Sequence, residues 1–347
     1  MIRRLLLFCI TIFALTLVPA VAQETTVLRL VTHDSFNVSE DVLSAFIDET
    51  GIEVEILRLG DAGQVVNQAV LTAGNPLGDV LFGVDNTFLS RALDADVFVP
   101  YTSDNLDSVA EQFILDPEMR VTPIDYGDVC LNYDIAYFQD NNLAVPDSLS
   151  DLVDPEYRGL LVVQNPATSS PGLAFLLATI AEFGTEGDYT YLDFWAELVA
   201  NDVLITDGWS DAYFGFFTMG SEDGTYPLVV SYASSPPFTV DEETGLPTTA
   251  SIVADGMCFR QIEFAGILAG TENEEAAQQL IDYMLSEPFQ EDVPLQMFVF
   301  PVNEEAELPE LFAEFSQIPE NPVTVDYGEI EANREQWIEA WTETVLR

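Results

Sequence analysis

The stretch Leu160-Leu-Val-Val-Gln-Asn-Pro-Ala-Thr-Ser-Ser-Pro-Gly-Leu173 decides how the chain is read. Leu160–Val163 is a short apolar run of strand character, and Leu173–Phe183 is a helical stretch. Between them, Ser170 suits an N-cap and Pro171 suits the first helical position, where a missing N–H costs nothing. A strand, a small hydroxyl-rich loop and a helix start together offer free backbone N–H groups and a positive dipole end. That arrangement can hold an anionic or strongly polar ligand group, or it can be no more than a well-capped helix.

Outward from this joint, strand-like and helix-like segments alternate. On the N-terminal side they are Val27–Thr32 (strand), Ser39–Thr50 (helix, closed by Gly51), Ile52–Leu59 (strand), Gly63–Ala73 (helix) and Val80–Val84 (buried strand). The second series follows Val121–Tyr133. It comprises Leu160–Val163, the helix from Pro171, a helix near Tyr189–Asn201, Val203–Thr206, a helix from Trp209, and Leu228–Tyr232. Ile252–Phe264 reads as a further extended stretch, and Asn273–Ser286 and Ile330–Leu346 as helices. Trp337 and Trp341, at i,i+4 on one face of the last helix, read as packing anchors. The pattern is that of α/β lobes with mostly parallel sheets.

The N-terminus has the form of a secretory leader: Arg3 and Arg4, an apolar run Leu5–Leu17, and Ala20-Val-Ala22 before Gln23. Residues 1–22 are therefore expected to be removed, leaving a periplasmic or extracellular protein. The roughly 325 residues that follow exceed what one small core organises, so two lobes are expected. Sixty acids face ten arginines and no lysine, for a formal charge of −50. Nucleic acid and anionic membranes are poor partners for such a surface, whereas a cation is attracted. Cys130 and Cys258 each sit in a strand-like segment, Tyr126–Tyr133 and Gly256–Phe264. They are candidates for one disulfide in an exported chain, and spacing alone leaves the pairing open.

The inventory excludes much chemistry. Without lysine there is neither a Schiff base nor a phosphate loop of the G-x-x-x-x-G-K type. With His33 as the single histidine there is no multi-histidine zinc site. Gly208-Trp-Ser-Asp-Ala212 approaches a G-x-S-x-G elbow but ends in Ala, and no G-x-G-x-x-G occurs. A hydrolase using two carboxylates stays open, since sixty acids supply many pairs.

What remains is a set of loops at strand ends that carry small polar and aromatic residues. They are His33-Asp-Ser-Phe36, Gly60-Asp-Ala-Gly63, Val84-Asp-Asn86, the Thr-Ser-Ser-Pro-Gly joint, Thr206-Asp-Gly-Trp-Ser210, Ser231-Tyr-Ala-Ser-Ser-Pro236 and Met297-Phe-Val-Phe-Pro301. Open α/β sheets bind ligands beyond the carboxyl ends of their strands. A cleft so lined suits a flat cation, which rings stack on and a carboxylate neutralises.

These strings resemble the extracytoplasmic thiamine-binding proteins of ABC importers, within the type II solute-binding superfamily. The resemblance runs through Thr32-His-Asp-Ser-Phe36, Gly83-Val-Asp-Asn86, Asp125-Tyr-Gly127, Thr168–Leu173, Thr206–Tyr213, Leu228–Tyr232 with Ser235-Pro236, and Phe300-Pro-Val302. It implies a two-lobed type II periplasmic-binding-protein fold, each lobe a mostly parallel sheet flanked by helices, joined by crossing hinge strands. Lobe 1 is then 23–125 with 258–308, and lobe 2 is 126–257 with 309–347. The hinge is expected near Asp125–Asp128 and Gly256–Phe259.

The resemblance implies a monomer that holds thiamine, thiamine phosphate or thiamine diphosphate between its lobes, uses no cofactor or metal, and delivers the ligand to permease subunits. Matching positions are Asp61, Ser169, Trp209 and Tyr232, with Ser169 and Trp209 near the phosphate end. His33 and Phe238 stand where the family has Tyr, and Phe298 where it has Trp. Asp85 and Ser210 complete the expected site. A ferric-ion or other organic-cation binder of the same superfamily is the alternative, and the Ser231-Tyr-Ala233 string has one tyrosine where iron binders often have two adjacent.

Overall fold

The computed structural model describes residues 26–347, so the expected leader over 1–22 lies outside the described residues. In chain order the strands are β1 (Val27–Thr32), β2 (Glu53–Arg58), β3 (Val80–Asp85), β4 (Phe98–Val99), β5 (Thr122–Asp134), β6 (Leu161–Gln164), β7 (Leu204–Thr206), β8 (Leu228–Tyr232), β9 (Thr249–Ile252), β10 (Phe259–Leu268) and β11 (Phe300–Pro301). The α-helices are α1 (Glu40–Thr50), α2 (Ala62–Leu71), α3 (Leu89–Asp94), α4 (Ile135–Asp140), α5 (Ser170–Phe183), α6 (Tyr191–Ala200), α7 (Glu274–Met284), α8 (Glu287–Gln296), α9 (Glu310–Phe315) and α10 (Tyr327–Val345). No described helix is long and apolar enough to cross a membrane.

Local chemistry accounts for the boundaries that matter to the site. Ser39 caps α1 by accepting the Val42 N–H, and Gly51 closes it in the left-handed conformation. Asp61 caps α2 through the Ala62 N–H. α5 is apolar on every side and is accordingly buried from Ser170 to Ile180, lying against β5, β6, β8 and β10.

One sheet runs β2-β1-β3-β10-β5-β8-β6-β7. β2, β1 and β3 pair in parallel to make one wing, and β8, β6 and β7 make the other. Between them β5 and β10 run antiparallel and serve both sides. β5 pairs with β10 over Thr122–Val129 and with β8 over Val129–Tyr133, while β10 continues onto β3. The parallel strands β3 and β6 are buried along their whole length, which is why they read as unbroken apolar runs. This is the two-lobed α/β architecture expected.

Three readings need correction or completion. The extended stretch Ile252–Phe264 is two strands: β9 ends at Ile252, and a turn closed by the Met257 N–H on the Ala254 carbonyl separates it from β10. The helix from Trp209 is one short segment with a π-helical turn over Asp211–Phe216. Cys258 stands just ahead of β10 rather than within a strand, and it is bonded to Cys130 of β5. The disulfide ties together the two strands that serve both wings. Trp337 and Trp341 are buried, and Trp341 meets Trp195 of α6 edge to face at 5.4 Å, as packing anchors should.

Candidate ligand cleft

A cavity of about 330 Å³ lies between the wings. The segments that follow β1, β2, β6 and β7, together with the last residue of β8, all reach it, so it sits beyond the carboxyl ends of the parallel strands. Its aromatic wall comprises Phe36, Trp209, Phe214, Tyr232 and Phe298. Its polar lining includes His33, Asp61, Ser170, Ser210, Gln261 and Glu263, with Arg58 also bordering the space.

Three of these rings, Trp209, Tyr232 and Phe298, are fixed from behind. The Trp209 indole N–H donates to Ser231 Oγ (3.0 Å), and its ring stacks on Tyr213 at 5.0 Å between centroids. Its backbone N–H donates to Asp61 Oδ2 (2.8 Å), a bond that joins the two wings. The Tyr232 ring lies against Gly127, where a Cβ would come within 2.7 Å of it, and its hydroxyl accepts from Gln261 Nε2 (3.2 Å). Phe298 is a non-glycine residue in the left-handed region (φ 64°), held there by the Ser234 hydroxyl on its carbonyl. Backbone strain of this kind persists where the surroundings impose it, often at functional sites.

The Cδ2 edge of His33 packs against Gly83, where a Cβ would lie 2.3 Å from it; Gly83 also has φ 98°. Ser35 Oγ lies 3.0 Å from Nδ1, and Nε2 is 3.4 Å from Glu263 Oε1, within ion-pair reach without hydrogen-bond alignment. Burial alone lowers the imidazolium, but the charges of Glu263, Asp61 and Asp34 outweigh it and leave the net shift upward. Burial raises Asp61 to about 6, against the pull of the Trp209 amide and His33. Burial likewise raises Asp85 to about 7, against the Thr87 hydroxyl and amide.

Six of the nine expected residues line the cavity: His33, Asp61, Trp209, Ser210, Tyr232 and Phe298. Three do not. α5 begins one residue earlier than the capping pattern suggests, which makes Ser169 the N-cap and buries its hydroxyl without a partner among the described residues. Ser170 and Pro171 face the cavity instead. Asp85 stands behind Ser170, whose hydroxyl donates to it, and so touches no open space. Phe238 packs tilted by 36° against Phe298, with 3.8 Å between centroids, and buttresses that ring from outside the lining.

Glu263, Gln261 and Arg58 were not anticipated. Glu263 is one acid among sixty, and its only sequence signal is a carboxylate between apolar Ile262 and Phe264 in a strand. Among the described residues no group of three or more His, Cys, Asp or Glu is arranged to hold a metal ion.

Residues 75–316 match the model of the bacterial extracellular solute-binding proteins, and the chain belongs to that family. It is 29% identical over 349 residues to the thiamine-binding periplasmic protein of Escherichia coli K12, spanning 98% of this chain and 99% of that one. Among solved structures, a periplasmic thiamin binding protein superposes with a TM-score of 0.81 at 28% identity, covering 96% of this chain and all of the other. Iron-bound HitA from Pseudomonas aeruginosa shares the fold at a TM-score of 0.73 and 20% identity. The protein is a solute-binding protein of the type II fold.

Proposed function

We propose that the cleft binds thiamine or one of its phosphate esters outside the cytoplasm and presents it to the permease of an ABC importer. The chain catalyses no reaction on this ligand and needs no cofactor. The carrying observation is the cavity itself: five aromatic rings surround a space whose floor bears Glu263 and Asp61. Thiamine is two flat rings, one with a fixed positive charge. Such a cation gains about 0.5–2 kcal/mol from each ring face it meets, and the acids offset its buried charge. The start of α5 and Arg58 border the same cavity and suit the hydroxyethyl or phosphate tail, with Trp209 at that end.

Relatives named for thiamine, aligned over nearly the whole chain, support this reading over ferric iron. The wings, joined through β5 and β10, would open and close about those strands, and ligand contacts made to both wings would favour the closed arrangement.

A thermal melt tests the proposal. Thiamine at about one hundred times its Kd should stabilise the purified protein by about 2.7 kcal/mol, a rise of several degrees. No rise with thiamine or its esters would defeat the reading, and sustained hydrolysis of glycosides without stoichiometric binding would favour the hydrolase.

A further inference from the structure

Three carboxyls stand side by side across the middle of the sheet. Glu263 of β10 is in register with Asp85 of β3 on one side and with Asp125 of β5 on the other. Residues paired in this way share a face, with Cβ atoms about 4.5–5.5 Å apart. All three are more than nine-tenths buried, at 0% exposure for Asp85, 8% for Glu263 and 1% for Asp125. Of the three, only Glu263 lines the cavity.

Their surroundings differ in donors. Asp85 accepts the Thr87 amide and the hydroxyls of Thr87 and Ser170. Among the described residues neither oxygen of Asp125 has a hydrogen-bond partner. Two carboxylates this close, away from water, do not both ionise readily, and the one without donors is the one that keeps a proton. As the acid, Asp125 has an acceptor one strand away; as the anion it would have nothing. Burial first, then the Glu263 charge, hold it well above the usual carboxylate range.

The charged and titratable groups facing Glu263 come from every neighbouring element. They are His33 and Asp34 after β1, Asp61 at the start of α2, Asp85, Asp125 and Tyr232 of β8, with Arg58 bordering the cavity. Arg260 on the same strand is engaged with Asp128. Asp61 spends its oxygens on the amides of Ala62 and Trp209. Among the described residues, His33 Nε2 and Gln261 Oε1, on two residues that line the cavity, have no hydrogen-bond partner.

We propose that Glu263 is the counter-ion that selects a ligand with a fixed positive charge, and that Asp125, kept as the neutral acid, donates its proton to Glu263 and holds that carboxylate in place. Asp125 is a positioning residue; Glu263 meets the ligand. The inference rests on the function proposed above. It also gives His33 a role, since its imidazolium competes for the same carboxylate. Cation affinity therefore rises with pH as His33 loses its proton, and ionisation of Asp61 works in the same direction.

Calorimetry with thiamine and with its neutral thiophene isostere separates the possibilities. The wild type should prefer thiamine. E263Q should lose at least about tenfold in thiamine affinity, the lower end of what a close pair of opposite charges contributes, and leave the isostere within a few-fold. D125A should weaken thiamine but not the isostere, and D125N, whose amide N–H can still donate, should recover most of the loss.

Equal losses for both ligands in E263Q, or none for thiamine, would overturn the inference while leaving thiamine binding intact. A wild type that binds the isostere as tightly as thiamine would do the same. A wild type that binds neither removes the proposed function, and with it the ligand for Glu263. The carboxyl ¹³C shift of Asp125 in the ligand-free wild type needs no ligand at all: a neutral acid at pH 7 is expected, and an ionised Asp125 overturns its assignment.

Discussion

Trp209 spends its polar atoms on the protein, the indole N–H on Ser231 and the backbone N–H on Asp61, so only its ring face remains for a ligand. Trp209→Ala should cost about 3–5 kcal/mol of stability, read by urea denaturation, because the ring is buried against Tyr213 and Phe214. It should also weaken binding at least tenfold, and more for the phosphate esters than for free thiamine; equal losses would contradict its place at the phosphate end. Trp209 and Tyr232 were legible in the sequence because large rings beside small polar residues at a strand end are unusual. Ser170 reads in the sequence as the cap and Ser169 as the ligand-side residue, and the structure places them the other way round: either serine of the pair satisfies the capping pattern, and one residue of offset turns the side chain from the core to the cleft. Glu263 was illegible among sixty acids, because what distinguishes it is the register of β10 with β3 and β5, a long-range fact.

At the scale of elements, the end of β3 and the start of α2 carry buried acids into the region between the wings. Asp85 at about 7 and Asp61 at about 6 lie above their ordinary value of 3.8, so the folded state holds more protons than the unfolded one. Their contribution to stability is full below about pH 4 and is lost as pH rises through 6 to 7. The melting temperature should therefore fall between pH 5 and 8. Self-repulsion of the acidic surface acts in the same direction, so the comparison that isolates Asp85 is Asp85→Asn, which should flatten part of the fall. An unchanged slope would show that Asp85 does not titrate there.

The Cys130–Cys258 bond joins β5 to the lead of β10 across 128 residues of chain. Cys130→Ser should lower stability by about 2–5 kcal/mol, measured by denaturant unfolding under non-reducing conditions. The parallel strands of both wings and most of the longer helices were legible from apolar periodicity, whereas the two-residue strands β4 and β11 are too short to show any. The β9–β10 break was not, because apolar residues flank a turn on both sides. α8 went unread because it carries Pro288 near its start and Pro294 inside it, residues that normally argue against a helix.

Across the whole molecule, alternation of strands and helices forecast two α/β lobes, while the single sheet that runs through both depends on pairings of β5 and β10 that no local pattern encodes. The wings touch through Asp61 with Trp209 and through Asp85 with Ser170, contacts that flank the cavity and must separate if the proposed opening is to admit a ligand. The formal charge of −50 draws cations toward the cleft, so the association rate for thiamine should fall as salt is added, a change stopped-flow tryptophan fluorescence would follow. The most direct measurement is isothermal titration of the purified protein, lacking residues 1–22, with thiamine, its mono- and diphosphate, and ferric iron. One site per chain is expected for thiamine or an ester at micromolar affinity or tighter, with weaker or no binding of iron; tight iron binding with failure of all three thiamine compounds would rule out thiamine as the ligand.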